Sequence, residues 1–218
     1  MVASVETQSP AHPRIRPRLL GGALGALCLV FGGWFVANMV AAARQKAAVE
    51  YIENLGAVVW FDYQFDASGR EIPEAEPPGP FWLRRILGDD FFTNVTKLHL
   101  RDLSDDKLDC LDAFGRLEWL DLTDTQVTDA GLAHVSGLIQ LRTLNLRATR
   151  VGDAGLDNLR TLKKLQTLDL DGTDVGDAGL LQIAGLPQLR TLNLRGTKVT
   201  GEGVQKLQAA WPNCTIRR

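Results

Sequence analysis

The sequence predicts an α/β solenoid, with parallel strands on a concave face and short helices on a convex face, preceded by a transmembrane helix. Two observations predict this fold class: a repeat of 24 residues in the C-terminal half and an uncharged apolar run near the N-terminus. The repeat is clearest in three related six-residue motifs, which are VTDAGL at 127–132 and VGDAGL at 151–156 and 175–180. Self-similarity at a period of about 20 to 50 residues is typical of solenoids.

Each repeat has the form LxxLxLxxTxVxDxGLxxLxxLxx and contains two kinds of spacing. In LxxLxL the last two leucines alternate with other residues, which is typical of a short strand with one buried face. In DxGLxxLxxL the apolar spacing becomes helical. We therefore expect one leucine of each strand to be buried in a continuous core, with the strands parallel and in sequence order. These leucines are Leu120, Leu144, Leu168 and Leu192.

Aspartate and threonine recur with the same period. Three aspartates precede the helical leucines, where a carboxylate can cap unpaired helix N–H groups, so they are interpreted as N-caps. They are Asp129, Asp153 and Asp177. Four threonines follow the strands, and their hydroxyls are expected to satisfy backbone groups of the turns. They are Thr125, Thr149, Thr173 and Thr197.

The apolar run covers residues 19–43, without a charged side chain over 25 positions. About 20 apolar residues suffice to cross a bilayer as a helix, so the run predicts a membrane span. A cleaved signal peptide is the alternative, because small residues at 41–43 precede Arg44 as at a cleavage site. The run is longer than the usual ~7 to 15 residues of a signal peptide, which favours an uncleaved anchor.

Charges beside the run predict its orientation. The flanking basic residues are Arg14, Arg16 and Arg18 before it, and Arg44 and Lys46 after it. This bias places the N-terminus in the cytoplasm and the repeats outside it, in a single-pass membrane protein. Gly21 and Gly25 form a GxxxG spacing, which is typical of helices that approach closely in a membrane and makes a homodimer a possible arrangement.

The chain divides into six segments by composition. The predicted boundaries are 1–18 for a basic tail, 19–43 for the membrane helix, 44–71 for a juxtamembrane helix and strand unit, 72–80 for a proline-rich connector, 81–94 for an N-terminal cap and 95–218 for the repeats. In the second unit, VVWFDYQF at 58–65 is strand-like. In the cap, FWLRRIL at 81–87 is interpreted as an amphipathic helix that covers the open end of the first repeat.

From Val95 to the C-terminus the consensus resembles the leucine-rich repeat, with threonine where that family usually has asparagine or cysteine. The order of segments also resembles a group of bacterial single-span proteins, in which AVxxIxxLGAxVxxDY leads through WLRRxLGDDFF into VTDAGL repeats. Here these motifs occupy Ala48–Tyr63 and Trp82–Phe92. The resemblance implies a protein-interaction scaffold, and no catalytic residue is carried over from it.

Composition and side-chain placement argue against several functions. The 24 basic and 26 acidic residues give a net charge near −2, which argues against nucleic acid as a partner. His99 and Asp121 are expected to be neighbours and are the best acid–base pair, but their column contains no serine or cysteine nucleophile. Asp169 and Asp171 have no visible third metal ligand. The sequence therefore predicts no enzyme, no metal and no cofactor.

The concave face is the predicted partner-binding surface, for a protein or peptide. Its candidate residues are Lys97, His99, Arg101, Trp119, Asp121, Asn145, Arg147, Asp169, Asp171 and Arg195. Trp119 is the large aromatic residue among them, and tryptophan and arginine are frequent in interface hot spots. The alternatives are a structural envelope component without a specific ligand, a secreted repeat protein if the N-terminal segment is cleaved, and an intracellular adaptor if the topology is inverted.

Overall fold

A computed structural model describes the backbone of residues 18–218 and, apart from Ala209, the side chains of residues 32–218. The boundary between two compact units falls between Asn38 and Met39. Helix α1 runs over Arg18–Asn54. Within the residues described, no helix meets the length and apolarity needed to cross a membrane. The tail at 1–17, and the side chains of 19–31 with Gly21 and Gly25 of the predicted span, lie outside the described residues.

Seven strands of the described chain form one sheet in sequence order. They are β1 (Val58–Phe61), β2 (Val95–His99), β3 (Trp119–Asp121), β4 (Thr143–Asn145), β5 (Thr167–Asp169), β6 (Thr191–Asn193) and β7 (Thr215–Arg217). From β2 onward all neighbours are parallel, and Leu120, Leu144, Leu168 and Leu192 are paired in register and fully buried. The predicted order and leucine core are confirmed.

Short helical segments connect successive strands. The α-helices after α1 are α2 (Phe81–Leu87), α3 (Leu132–Val135), α4 (Asp177–Ile183) and α5 (Gly201–Ala210). The 3-10 helices are Asp62–Gln64, Asp89–Phe91, Asp105–Ala113 and Ala154–Thr161. Equivalent positions of the repeat are thus α-helical in one unit and 3-10 in the next.

The repeating aspartates link adjacent repeats, so their interpretation as N-caps is wrong. Asp129 and Asp153 accept hydrogen bonds from the N–H groups of Gly152 and Gly176, each at 2.6 Å. Asp177 accepts from both the N–H and the hydroxyl of Thr200, at 2.8 and 2.6 Å, and these bonds lower the pKa of its carboxyl group. None of the helices at these positions has a side-chain cap, because the carboxylates point to the following repeat. They remain architectural residues.

The repeating threonines act as predicted. In each turn, the threonine hydroxyl donates to the carbonyl of the leucine three residues earlier, at 2.6 to 2.7 Å. The pairs are Thr125 with Leu122, Thr149 with Leu146, Thr173 with Leu170, and Thr197 with Leu194. Each bond satisfies a carbonyl where the chain leaves the sheet.

At the N-terminal end of the sheet, β1 is the edge strand and α1 packs against the core, whereas the apolar residues Phe81, Trp82 and Ile86 of the predicted cap at 81–94 are exposed. Ile52 of α1 is fully buried in the core. The buried Gln45 donates from its amide to the Thr93 carbonyl at 3.1 Å and accepts from the Val95 N–H at 3.2 Å. The Gln45 side chain thus pairs with backbone groups at the start of β2 as a neighbouring strand would. Strand β1 is antiparallel to β2, so it belongs to the repeat sheet rather than to a separate unit.

One turn position has a left-handed backbone in five successive repeats. It is occupied by Asp102, Asp124, Ala148, Gly172 and Gly196, with φ between 51° and 70°. For an alanine this conformation costs roughly 1 to 2 kcal/mol, whereas glycine adopts it freely.

Ala148→Gly is therefore expected to raise the free energy of unfolding by about 0.5 to 1 kcal/mol, after the larger chain entropy of glycine in the unfolded state is subtracted. Urea denaturation measures the change. Ala130→Gly is the matched control, because Ala130 is also exposed in a turn but has no positive φ. The control is expected to lose stability, and a loss in both variants would contradict the argument from backbone strain.

Candidate binding surface on the concave sheet

The face of the sheet that is turned away from the leucine core carries the predicted site residues; we call it the concave face. In β3 to β6 the central residue is buried, as is Leu98 in β2, so the residues on either side of it are placed on the concave face. The first column contains Lys97, Trp119, Thr143, Thr167 and Thr191, paired in register from β2 to β6. All five are half-buried. The predicted column is therefore present.

Trp119 lies in a pocket, which we call the aromatic pocket, lined by Trp60, Phe65, Glu71, Lys97 and Trp119. Trp60 is the β1 partner of Lys97, and Trp119 is its β3 partner. The two indole rings meet edge to face, with centroids 6.0 Å apart and planes at 84°. Trp119 is thus one of a pair of aromatic residues on this face, and Trp60 covers part of it.

Charged groups of both signs lie beside the aromatic rings of the pocket. The Lys97 ammonium group is 3.2 Å from the centre of the Phe65 ring, which is the geometry of a cation–π contact. Phe65 is held there by an antiparallel bridge to Glu71. The aromatic pocket therefore presents rings fixed by their neighbours, together with one cation and one anion.

His99 and Asp121 are neighbours, as predicted, and belong to a network. Nδ1 of His99 is 3.0 Å from the Asp121 carboxylate, and Nε2 accepts from the Arg101 guanidinium at 2.7 Å. The other oxygen of Asp121 accepts from the Thr123 N–H at 2.9 Å. Acceptance at Nε2 assigns the ring proton to Nδ1. With both ring nitrogens occupied, the imidazole is a link between two strands rather than a free base.

His99 and Asp121 begin the second column of the concave face, which continues with Asn145, Asp169 and Asn193. These last three residues turn the chain out of the strands. Asn145, Asp169 and Asn193 each accept from the N–H two residues later, at 3.1, 2.9 and 3.3 Å. Asn193 also donates to the Asp169 carboxylate at 3.0 Å. Their polar groups are largely used within the sheet. These residues are therefore weaker candidates for partner contact than the first and third columns.

The third column lies two residues beyond the second column in each repeat and supplies exposed charges. Its arginines are all exposed, just after the ends of their strands: Arg101, Arg147 and Arg195. Nε of Arg147 is 3.8 Å from the Asp171 carboxylate, which lies in the next repeat. No group of three or more His, Cys, Asp or Glu side chains is arranged to hold a metal ion in the described residues.

Sequence reasoning missed Trp60, Phe65 and Glu71, because the pairing of β1 with β2 was not recognised. A signal for Trp60 was present. Val59 and Phe61 on either side of it pack against the core, so alternation along the strand places Trp60 on the opposite face. Phe65 follows the 3-10 turn at Asp62–Gln64, and the change of direction in this turn is not visible in the residue pattern.

The stack of units, each with one strand and one helical segment, defines an α/β solenoid. A family model described as Leucine Rich repeat matches residues 161–184 and 186–207, so these two stretches are leucine-rich repeats.

Solved structures that are similar to this chain include the following three. The leucine-rich repeat ectodomain of the receptor kinase SOBIR1 from Arabidopsis thaliana is 18% identical with a TM-score of 0.49, over 80% of this chain and 91% of that one. A leucine-rich repeat protein of Leptospira interrogans is 17% identical with a TM-score of 0.40, over 65% and 40%. An internalin from Listeria monocytogenes is 20% identical with a TM-score of 0.37, over 55% and 38%. No curated protein matches the chain.

Proposed function

We propose that the protein is a membrane-anchored module that binds a protein or peptide partner through its concave face, with the aromatic pocket as the main anchor point. Leucine-rich repeat proteins bind protein partners in general. The observation that carries the proposal for this chain is the edge-to-face pair of Trp60 and Trp119 on an otherwise polar sheet. Tryptophan that is held rigidly and ringed by polar groups is typical of interface hot spots.

The pocket is suited to an apolar or aromatic side chain of the partner. Its indole rings already restrict each other, so little side-chain entropy remains to be lost on binding. Lys97 and Glu71 lie beside the rings and are able to pair with charges that flank the inserted side chain. Rim charges of this kind contribute specificity and association rate more than affinity.

The arginine column extends the surface along the sheet. In the pair of Arg147 and Asp171 the guanidinium is exposed and the carboxylate is half-buried, and a pair this open to solvent contributes only about 0 to 1 kcal/mol to stability. A carboxylate of the partner can displace Asp171 at little cost and form a forked pair with the guanidinium. Arg101 and Arg195 offer the same chemistry on either side. An extended, acidic segment beside an apolar side chain is the partner chemistry that this surface fits.

The proposed anchor is the apolar run at 19–43, with the N-terminus in the cytoplasm and the repeats on the other side of the membrane. Its support is the absence of charge in the run and the arginines before it. Trp34, Val36 and Val40 are exposed apolar side chains of α1, which is expected of a helix surrounded by lipid. The spacing of Gly21 and Gly25 supports a homodimer in the membrane.

Trp119→Ala is expected to weaken partner capture about thirty-fold, corresponding to about 2 kcal/mol, because it removes a wall of the aromatic pocket. Its stability cost is expected to be about 1 kcal/mol, from the lost aromatic pair. Crosslinking in native membranes, followed by quantitative identification of the crosslinked proteins, measures capture; thermal unfolding measures stability.

Thr191→Ala is the matched control, since Thr191 occupies the same column at the far end of the sheet. It is expected to leave capture through the pocket unchanged. If Trp119→Ala and Arg147→Glu both retain every partner crosslinked to the wild type at the same yield, the concave face is not the binding surface.

A further inference from the structure

Helix α2 exposes a compact apolar patch. Phe81, Trp82 and Ile86 are 70%, 63% and 71% exposed. Trp82 and Ile86 are four residues apart and are therefore neighbours on the helix surface, and Phe81 is exposed at the first residue of the same two-turn helix. Arg85 is exposed beside them. We call these four residues the α2 patch.

A chain of direct contacts holds α2 next to the part of α1 where the apolar run ends. The Arg84 guanidinium is 3.7 Å from the Asp89 carboxylate. The Asp89 carbonyl accepts from the Thr93 hydroxyl at 3.2 Å, and the Thr93 carbonyl accepts from the Gln45 amide at 3.1 Å. Gln45 is two residues beyond Ala43, the last residue of the run. All of these residues belong to the unit that begins at Met39.

We infer that the α2 patch is inserted into the interfacial region of a lipid bilayer, beside the point where α1 leaves the membrane. This inference rests on the proposed membrane anchor at 19–43. If Ala43 marks the end of the hydrocarbon region, Gln45 is at the level of the lipid head groups, and the contacts above hold α2 at that level. Tryptophan is enriched in this layer, where its ring is accommodated between water and the acyl chains.

The size and charge of the patch distinguish a lipid surface from other occupants. A stable protein interface buries about 800 Å² on each partner with about 20 to 30 residues, and a helix of two turns with three apolar side chains is far smaller. The charge also bears on the kind of lipid. Arg84 is paired with both Glu76 and Asp89, so its charge is compensated, and Arg85 contributes the one positive charge of the patch. Insertion is therefore expected to depend mainly on the three apolar side chains, with anionic lipid adding only the attraction of a single arginine.

The consequence for function is a second attachment of the repeat unit to the membrane. A single helix leaves the unit free to rotate about the helix axis. Insertion of α2 fixes this rotation, and with it the direction in which the concave face is presented to a partner.

The test is quenching of tryptophan fluorescence in the full chain, reconstituted in phosphatidylcholine vesicles with lipid brominated either near the head group or near the end of the acyl chain. The wild type is compared with Trp82→Phe and Trp34→Phe. Of the five tryptophans, Trp34 lies in the proposed span, about 13 Å from its end at Ala43, and Trp82 lies in the α2 patch. Trp82→Phe is expected to remove most of the emission that the shallow bromine quenches, and Trp34→Phe most of the emission that the deep bromine quenches.

The two proposals fail in different ways. Loss of quenching in Trp34→Phe but not in Trp82→Phe overturns the insertion of α2 and leaves the anchor in place. No loss in either variant overturns the anchor and the inference together. Ile86→Glu provides a second readout, because a charge in the patch is expected to reduce quenching of Trp82. Since Ile86 is exposed, the melting temperature of the protein is expected to stay unchanged. Leu181→Glu, at an exposed leucine of α4, is the matched control and is expected to leave quenching unchanged.

Discussion

Leu144→Ala is expected to lower the free energy of unfolding by about 2 to 5 kcal/mol, the range for large-to-small changes at buried leucines. Leu144 is the central residue of β4. It is fully buried and is paired in register with Leu120 and Leu168. The strands on both sides fix the spacing of the stack, so the cavity cannot be closed by a local shift. Urea denaturation of the full chain in detergent measures the loss.

Leu181→Ala provides the comparison. Leu181 has the same chemistry in the same repeat array, but its side chain is 68% exposed. Its loss is expected to stay within about 0.5 kcal/mol. Equal losses at the two leucines would contradict a single core built from the strand leucines, as would a loss at Leu144 below about 1 kcal/mol.

Gly179→Ala is expected to cost about 3 kcal/mol, at the upper end of the range for overpacking. A Cβ atom at Gly179 would lie within about 3 Å of three groups: the Asp153 carboxylate, the Asp153 Cα atom and the Leu156 side chain. One of these is backbone and another belongs to the core, so neither can move away cheaply. Thermal and urea unfolding measure the loss.

A double-mutant cycle separates the two kinds of obstacle. At Gly203, the equivalent glycine in the next repeat, the atoms nearest to an added Cβ all belong to the Asp177 carboxylate. The cost of Gly203→Ala is therefore expected to disappear in an Asp177→Ala background, where alanine also favours helix α5 by about 1 kcal/mol. The cost of Gly179→Ala is expected to persist in an Asp153→Ala background. If removal of the aspartate rescues both glycine variants equally, the backbone and Leu156 are not the obstacle at Gly179.

The sequence predicted the parts of the fold that repeat. Each leucine appears several times in equivalent surroundings, so its burial, the strand order and the register follow from the period alone. The threonine hydroxyl bonds were predicted for a related reason: each partner is a carbonyl three residues away in the same turn. Local and periodic features are the ones that a residue pattern contains.

Contacts between repeats were harder to predict than contacts within them. Asp153 has a helix start beside it in sequence, and an N-cap was the simplest interpretation. In the folded chain its carboxylate instead accepts from the N–H of Gly176, which is 23 residues later in the sequence, because stacking brings equivalent turns of adjacent repeats together. A carboxylate can satisfy either donor, and only the spacing of the stacked turns decides between them.

The N-terminal end of the array shows why the candidate site was incomplete. β1 occurs once, is antiparallel and precedes β2 by more than 30 residues, so no period reveals its pairing. The pocket around Trp119 depends on that strand for Trp60. Similarly, the apolar residues of α2 suggested a cap, but the buried Gln45 and Ile52 of α1 fill that position. Sequence reasoning therefore found the shared columns of the surface and missed the part formed by unique residues.

The hydrogen bonds between aspartates and the following repeat restrict how the length of this array can change in evolution. Each linking aspartate faces a glycine 26 residues later: Asp105 faces Gly131, Asp129 faces Gly155, Asp153 faces Gly179 and Asp177 faces Gly203. If any 24 consecutive residues of the array are duplicated or removed, every aspartate still meets a glycine at this distance, wherever the break falls. Gain or loss of a single residue shifts the pairs that span it and places a side chain against a carboxylate. The array can therefore lengthen or shorten by whole repeats through unequal recombination, whereas small insertions are confined to positions outside these pairs.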